Sequence, residues 1–181
     1  MGPTRTESLG GKRYIMIIVD DFTKYTWIIL LRSKSDAFEH IETLCTRLQN
    51  EKSLKIDLIR SDHGREFENS YMESFCTRSG ISQEFSIPIT PQQNDVVKRK
   101  NRVIQEMARA MLYNKDVARN LWGEAVNTVC HMVNMVYFRP GTKKTPYELW
   151  KGRKPNVKYF RIFGSTYFIL KDRENVGKFD S

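Results

Sequence analysis

Apolar residues along this chain fall into two kinds of pattern, and the alternation between them sets out the elements. From Arg13 to Asp20 the chain is rich in Ile, Val and Tyr and reads as a buried strand. Tyr25 to Leu31 read as a second strand. Asp21 to Lys24 supply a turn between them, so hairpin logic makes the pair antiparallel. The spacing then becomes helical. Phe38, Ile41, Leu44, Cys45 and Leu48 share one face, with Ser35 as the expected cap.

Leu54 to Arg60 alternate and predict a third strand, with Asp62-His63-Gly64 turning directly after it. Glu68 to Ser79 suit a short helix, with Tyr71, Met72, Phe75 and Cys76 on one side and Gly80 as its stop. Residues 81–87 are extended. Pro88 and Pro91 predict an irregular loop through Asn94. A long helix follows over 96–114, with Val97, Ile104, Met107, Ala108 and Met111 inward. Another covers 120–137 and breaks at Pro140-Gly141. Thr145-Pro146 opens a short helix through Trp150, and Tyr167 to Leu170 are again strand-like. The order is strand, strand, helix, strand, helix, short strand, then helices. That predicts an α/β fold with a mixed sheet.

Composition narrows the class. The chain has 181 residues, 40% of them hydrophobic and 28% charged, which suits one folded domain or one domain plus a fragment. Its formal net charge of +9 favours a polyanionic partner, nucleic acid first. The apolar runs are too short to span a bilayer, and no signal-peptide pattern opens the chain. No membrane or small-molecule partner is expected. Cys45, Cys76 and Cys130 are far apart and form no zinc-ligand cluster with His40, His63 or His131. Free thiols in a reducing compartment are the simplest reading.

Two motifs carry specific chemistry. One is Arg60-Ser61-Asp62-His63-Gly64-Arg65-Glu66-Phe67, at the end of a strand. The other runs from Thr90 through Gln92, Gln93, Asn94 and Asp95 to Lys98-Arg99-Lys100-Asn101-Arg102, leading into a basic helix. Together they resemble the integrase catalytic core of copia-type LTR retrotransposon Pol polyproteins. Val19-Asp20-Asp21-Phe22-Thr23, Glu106-Met107-Ala108-Arg109, Leu121-Trp122-Gly123-Glu124-Ala125 and Thr145-Pro146-Tyr147-Glu148-Leu149-Trp150 match in the same order.

The resemblance implies an RNase H-like fold and three carboxylates holding two divalent ions, Mg²⁺ or Mn²⁺, for DNA strand transfer. It places Asp62 at the second metal-binding carboxylate. The third would be a Glu separated from Asp62 by 35 residues, and that position is Lys98. A lysine there repels a divalent ion by roughly 8 kcal/mol at 4 Å and an effective dielectric of 20, as an upper bound. The first carboxylate would lie before Met1, so the expectation is a core with its first strand missing. Asp20 and Asp21 end the second strand in the family pattern and are not its ligands. The expectation is therefore a core that is catalytically inactive.

The resemblance also implies a DNA-facing surface made of Gln92, Gln93, Asn94, Lys98, Arg99, Lys100, Arg102 and Arg109. Contacts there would go mainly to phosphates of double-stranded DNA, making binding sequence-tolerant and salt-sensitive. Trp122, Trp150, Phe138 and Tyr137 read as core or subunit-contact residues. Lys143-Lys144 and Arg153-Lys154 read as solvated. Residues 1–156 are assigned to the core and 157–181 to an incomplete following segment. Nuclear localisation and assembly of several copies are the matching expectations. The competing readings are a domesticated DNA-binding or scaffold protein and an active core completed in trans by another subunit.

Overall fold

The two apolar runs form strands β1 (Tyr14–Val19) and β2 (Thr26–Leu31), antiparallel, with Tyr14 opposite Leu31 and Val19 opposite Thr26. The computed structural model of the chain describes residues 2–86 and 91–167, with 91–95 described as backbone only. Asp20 and Tyr25 close the hairpin with a 2.9 Å backbone bond, and Lys24 takes a left-handed φ of 59° to do so. The pleat then sorts the apolar side chains. Tyr14, Met16, Ile18, Ile29 and Leu31 face one hydrophobic cluster, and Ile15, Ile17, Ile28 and Leu30 face a second. A hairpin covered on both faces needs apolar residues at consecutive positions, which is why these runs do not alternate. Each fully buried Ile or Leu contributes roughly 1.5–3 kcal/mol.

The first cluster is completed by α1 (Ala37–Lys52) and α2 (Ser70–Ser79), through Ile41, Cys45, Met72, Phe75 and Cys76. The expected cap at Ser35 is replaced by Ser33. A 3₁₀ turn (Lys34–Asp36) precedes α1, and Ser33 and Asp36 form a reciprocal capping box on it. The helical path thus starts one turn earlier than apolar spacing alone indicates. Gly80 ends α2 at a φ of 67°, as its position predicts.

Between the two helices lies β3 (Leu58–Ser61), and β4 (Ser82–Phe85) follows α2 and pairs with it in parallel, Ser61 opposite Phe85. The strand expected over 54–60 is shorter because β4 gives it a partner only from Leu58 onward. Leu54, 70% exposed, has no core to face. β1–β2 and β3–β4 are two separate two-stranded sheets among the described residues, one antiparallel and one parallel. The expected strand directions are present, but no ladder joins them into a single mixed sheet.

The second cluster is built by α3 (Pro91–Asn114) and α4 (Trp122–Val136), through Ile104, Ala108, Val126, Val129 and Val133. α3 begins at Pro91 and not at 96, so the part of the expected loop from Pro91 through Asn94 is helical instead, and its start at Pro88 lies outside the described residues. Proline's fixed φ and missing N–H suit a first helical position. A 3₁₀ turn (Arg119–Leu121) leads into α4. Gly123 sits where an added Cβ would lie 2.8 Å from Leu30 Cδ1, so α4 approaches β2 closely there. Ahead of β1, Leu9 N donates to Asn120 O, and Trp122 Nε1 donates to Thr6 O.

α5 (Pro146–Lys151) starts with a capping box between Thr145 and Glu148. It is tied back to α1 by Lys151–Glu51 and by Lys52, whose ammonium lies 4.4 Å over the Trp150 ring and donates to Trp150 O. Phe163 packs against the second cluster. Tyr167 is not in a strand, and the rest of the expected strand at 168–170 lies outside the described residues.

Candidate functional site

Asp62 stands directly after β3, at the end where parallel pairing with β4 stops, and its side chain is exposed. Its position is fixed by the turn that follows. Gly64 N donates to Asp62 Oδ1 at 3.3 Å, and Phe67 N and Glu68 N both donate to Gly64 O. A Cβ on Gly64 would fall 3.1 Å from Asp62 Oδ1 and 2.9 Å from Glu66 Oε2. Glycine is what lets two carboxylates come so close to one backbone position. Glu66 also pairs through Oε1 with Lys34, at 3.3 Å. His63 stacks on Phe85, with ring centroids 5.1 Å apart, and its Nδ1 lies 3.3 Å from Glu68 Oε2. Asn69 closes the platform. Its Oδ1 caps α2 at Met72 N, and its Nδ2 donates to Arg65 O and Glu66 O.

Asp20 and Asp21 are engaged within their own turn. Asp20 Oδ2 accepts from Thr23 N at 2.7 Å and from Thr23 Oγ1 at 2.6 Å. Asp21 pairs with Lys24, whose hydrogen bond and charge hold its carboxyl below the usual range. Among the described residues no group of three or more His, Cys, Asp or Glu is placed to hold a metal ion. The described side chains therefore do not fit a two-ion carboxylate site. The side chain of Asp95 lies outside the described residues.

The basic residues of α3 divide by helical phase. At 100° per residue, Lys98, Arg99, Arg102 and Arg109 fall within about a 100° arc, and Lys100 lies on the far side. The first four are exposed. Glu106 shares their face and reaches Arg102 at 4.0 Å. Lys100 turns inward instead. Burial pushes its ammonium pKa down, with Lys24 nearby acting the same way and Cys130 opposing it. The backbone of Gln92, Gln93 and Asn94 belongs to the first turns of α3, and their side chains lie outside the described residues. So the structure places Asp62 on a strand-end turn and a cationic stripe on the outer face of α3, and it separates Lys100 from that stripe.

Residues 4–91 match the family described as integrase core domain. Over 99% of its length the chain is 31% identical to the retrovirus-related Pol polyprotein from transposon TNT 1-94 of Nicotiana tabacum. It spans only 14% of that relative. This chain is related to the integrase cores of copia-type retrotransposons. Solved structures agree on the fold. The magnesium complex of the HTLV-2 integrase catalytic core in its trimeric form superposes with a TM-score of 0.55 at 20% identity, over 74% of this chain and 82% of that one. The simian T-cell lymphotropic virus intasome bound to the PP2A regulatory subunit B56 gamma gives 0.63 at 16% identity, over 87% of this chain and 53% of that one. The fold of this integrase-core relative is thus the RNase H-like one.

Two features of the site were not read from sequence. One is the stacking of His63 on Phe85, which needs the parallel β3–β4 register to bring the two together. The other is the inward turn of Lys100, which the helical phase of Val97, Lys100, Ile104 and Ala108 does signal. The aromatic residues also divide. Trp122 is buried, whereas Tyr137 and Phe138 are 50% and 66% exposed and so are not core.

Proposed function

We propose that this chain is an integrase-type core that binds double-stranded DNA along the outer face of α3 and does not complete metal-dependent strand transfer by itself. The observation that carries this reading is Lys98, exposed on that face beside Arg102 and Arg109, at the position where the family pattern has a glutamate. A cation there adds to phosphate attraction and removes a metal ligand at once. Asp62 matches the second metal-binding carboxylate of the family pattern, and Mg²⁺ or Mn²⁺ would be the ion such a position serves. Phosphate contacts carry no base information, so binding tolerates sequence and weakens with salt. Assembly of several copies and action in the nucleus follow from the same reading.

Two measurements test it. Fluorescence anisotropy with a random-sequence duplex should give a negative slope of log affinity against log salt. Lys98→Glu with Arg102→Glu should flatten that slope by about 2. Incubation with Mn²⁺ and a donor-end duplex should yield no joined product. Joined product that disappears in Asp62→Ala would sink the inactive reading, and a duplex affinity unchanged by the α3 variants would sink the binding one.

A further inference from the structure

We propose a second nucleic-acid contact at the turn of the β1–β2 hairpin, where Phe22 and Arg139 take an unpaired base and Lys143 and Lys144 take the phosphates beside it. Phe22 is 71% exposed, yet it sits on a turn with little freedom. Asp20 accepts two hydrogen bonds from Thr23, and the turn is closed by Asp20 N to Tyr25 O. An aromatic ring held outward by an ordered turn is surface available for stacking. The Arg139 guanidinium lies 5.5 Å from the centre of that ring. Arg139 Nε is buried and makes no hydrogen bond among the described residues. Guanidinium and aromatic planes together are a platform that an unpaired base can join.

The loop that carries Arg139 is as well built as the turn that carries Phe22. Arg139 N donates to Lys144 O at 2.9 Å, and Thr142 donates through N and Oγ1 to Arg139 O. This loop holds Lys143 and Lys144 exposed, and neither has an ion pair among the described residues. Three carboxylates lie nearby: Asp20 accepts from Thr23 and keeps its charge, Asp21 pairs with Lys24 and also feels Arg139, and Glu148 caps α5 and feels Lys144. Lys24, Arg139, Lys143 and Lys144 outnumber Asp20, Asp21 and Glu148 by one charge, so the patch is weakly cationic around an aromatic face. That combination favours single-stranded nucleic acid over an acidic peptide, which offers charge without flat rings. A duplex hides its base faces in the stack and cannot use Phe22 in this way.

The contact does not depend on the α3 reading, and the test separates them. The full chain is titrated with a labelled oligothymidylate and with a labelled duplex of the same length, and the bound oligothymidylate is challenged with polyglutamate. Phe22→Ala is expected to weaken oligothymidylate binding about tenfold, as loss of one stacked base does, and to leave duplex binding within about twofold. Phe22→Trp should retain oligothymidylate affinity, and Lys143→Glu with Lys144→Glu should reduce it and its salt dependence. Unchanged oligothymidylate affinity in Phe22→Ala would overturn the proposal. So would equal loss on both nucleic acids, or efficient displacement by polyglutamate, which would mark the patch as an acidic-protein surface. Failure of the duplex to bind at all sinks the α3 reading and leaves this one standing.

Discussion

Asn134 offers the sharpest test of how the hairpin is held against α4. It lies on the inner face of α4 at 3% exposure, one turn beyond Cys130. Its side chain spans the backbone of Thr26, the first residue of β2. Thr26 N donates to Asn134 Oδ1 at 2.9 Å, and Asn134 Nδ2 donates to Thr26 O at 2.8 Å. Thr26 is 1% exposed, so water cannot replace either bond. Truncation in Asn134→Ala leaves the Thr26 N–H buried without a partner, while Thr26 O keeps the Cys130 thiol at 3.2 Å. The stranded donor costs about 1–3 kcal/mol and the lost carbonyl bond about 1 more. The expected loss is therefore roughly 2–4 kcal/mol. In urea unfolding that moves the midpoint by roughly 1–2 M at an ordinary slope. Asn134→Asp is the discriminating variant. At neutral pH it keeps the acceptor but sets a negative charge against Thr26 O, so it should be less stable than Asn134→Ala. A carboxyl buried there has its folded pKa raised above the unfolded value of about 3.9. The variant's penalty therefore grows as pH rises above that value and shrinks on acidification, where a protonated carboxyl can donate to Thr26 O. A loss under about 0.5 kcal/mol in Asn134→Ala, or an Asp variant no worse than Ala at neutral pH, would refute the argument.

Lys100 should behave in the reverse sense from an ordinary surface lysine. Burial lowers its pKa, so its charged form destabilises the fold below the folded pKa, and that penalty is relieved as pH rises from the folded pKa toward the unfolded one. Lys100→Met is accordingly expected to be neutral or stabilising in thermal melts near neutral pH, and a clear loss would show that the ammonium has a partner worth keeping. Thr145→Ala removes one half of the α5 capping box and should cost about 1 kcal/mol by chemical denaturation, with Thr145→Ser nearly silent. Cys45, Cys76 and Cys130 are all buried, and burial pushes the Cys45 and Cys130 thiols up to about 11. A colorimetric thiol reagent at neutral pH should therefore find almost no reactive thiol in the native protein and three in denaturant.

Elements whose cause is local were readable from sequence. The hairpin, the core face of α1, the stop at Gly80 and the Thr145-Pro146 start of α5 each depend on a short stretch of chain. Features that depend on a distant partner were not. β3 is short because β4 defines it, and Ser33 caps the helical path because Asp36 can reach back to it. Asn134 reads as an isolated polar residue on an apolar helix until the edge of β2 is set beside it. At the candidate site, the Asp62-His63-Gly64 turn was legible because its glycine and its hydrogen bonds are local. The DNA-facing list read from the motif treated Lys98, Arg99, Lys100 and Arg102 as one group, whereas helical phase assigns Lys100 to the interior.

The way the hairpin shares its two faces has a consequence for how the molecule opens. β1 and β2 contribute side chains to both hydrophobic clusters, whereas the β3–α2–β4 unit contributes only to the first. No backbone ladder among the described residues ties that unit to the hairpin. Its amides can exchange with solvent through an excursion that leaves the α3–α4 cluster closed, so deuterium uptake should reach β3 and β4 well before β1 and β2. Asp62 rides on the part that opens first. The turn that carries Asp62 thus shares no hydrogen-bonded ladder with the hairpin among the described residues, and its place relative to the hairpin is set by a local equilibrium and not by the stability of the whole.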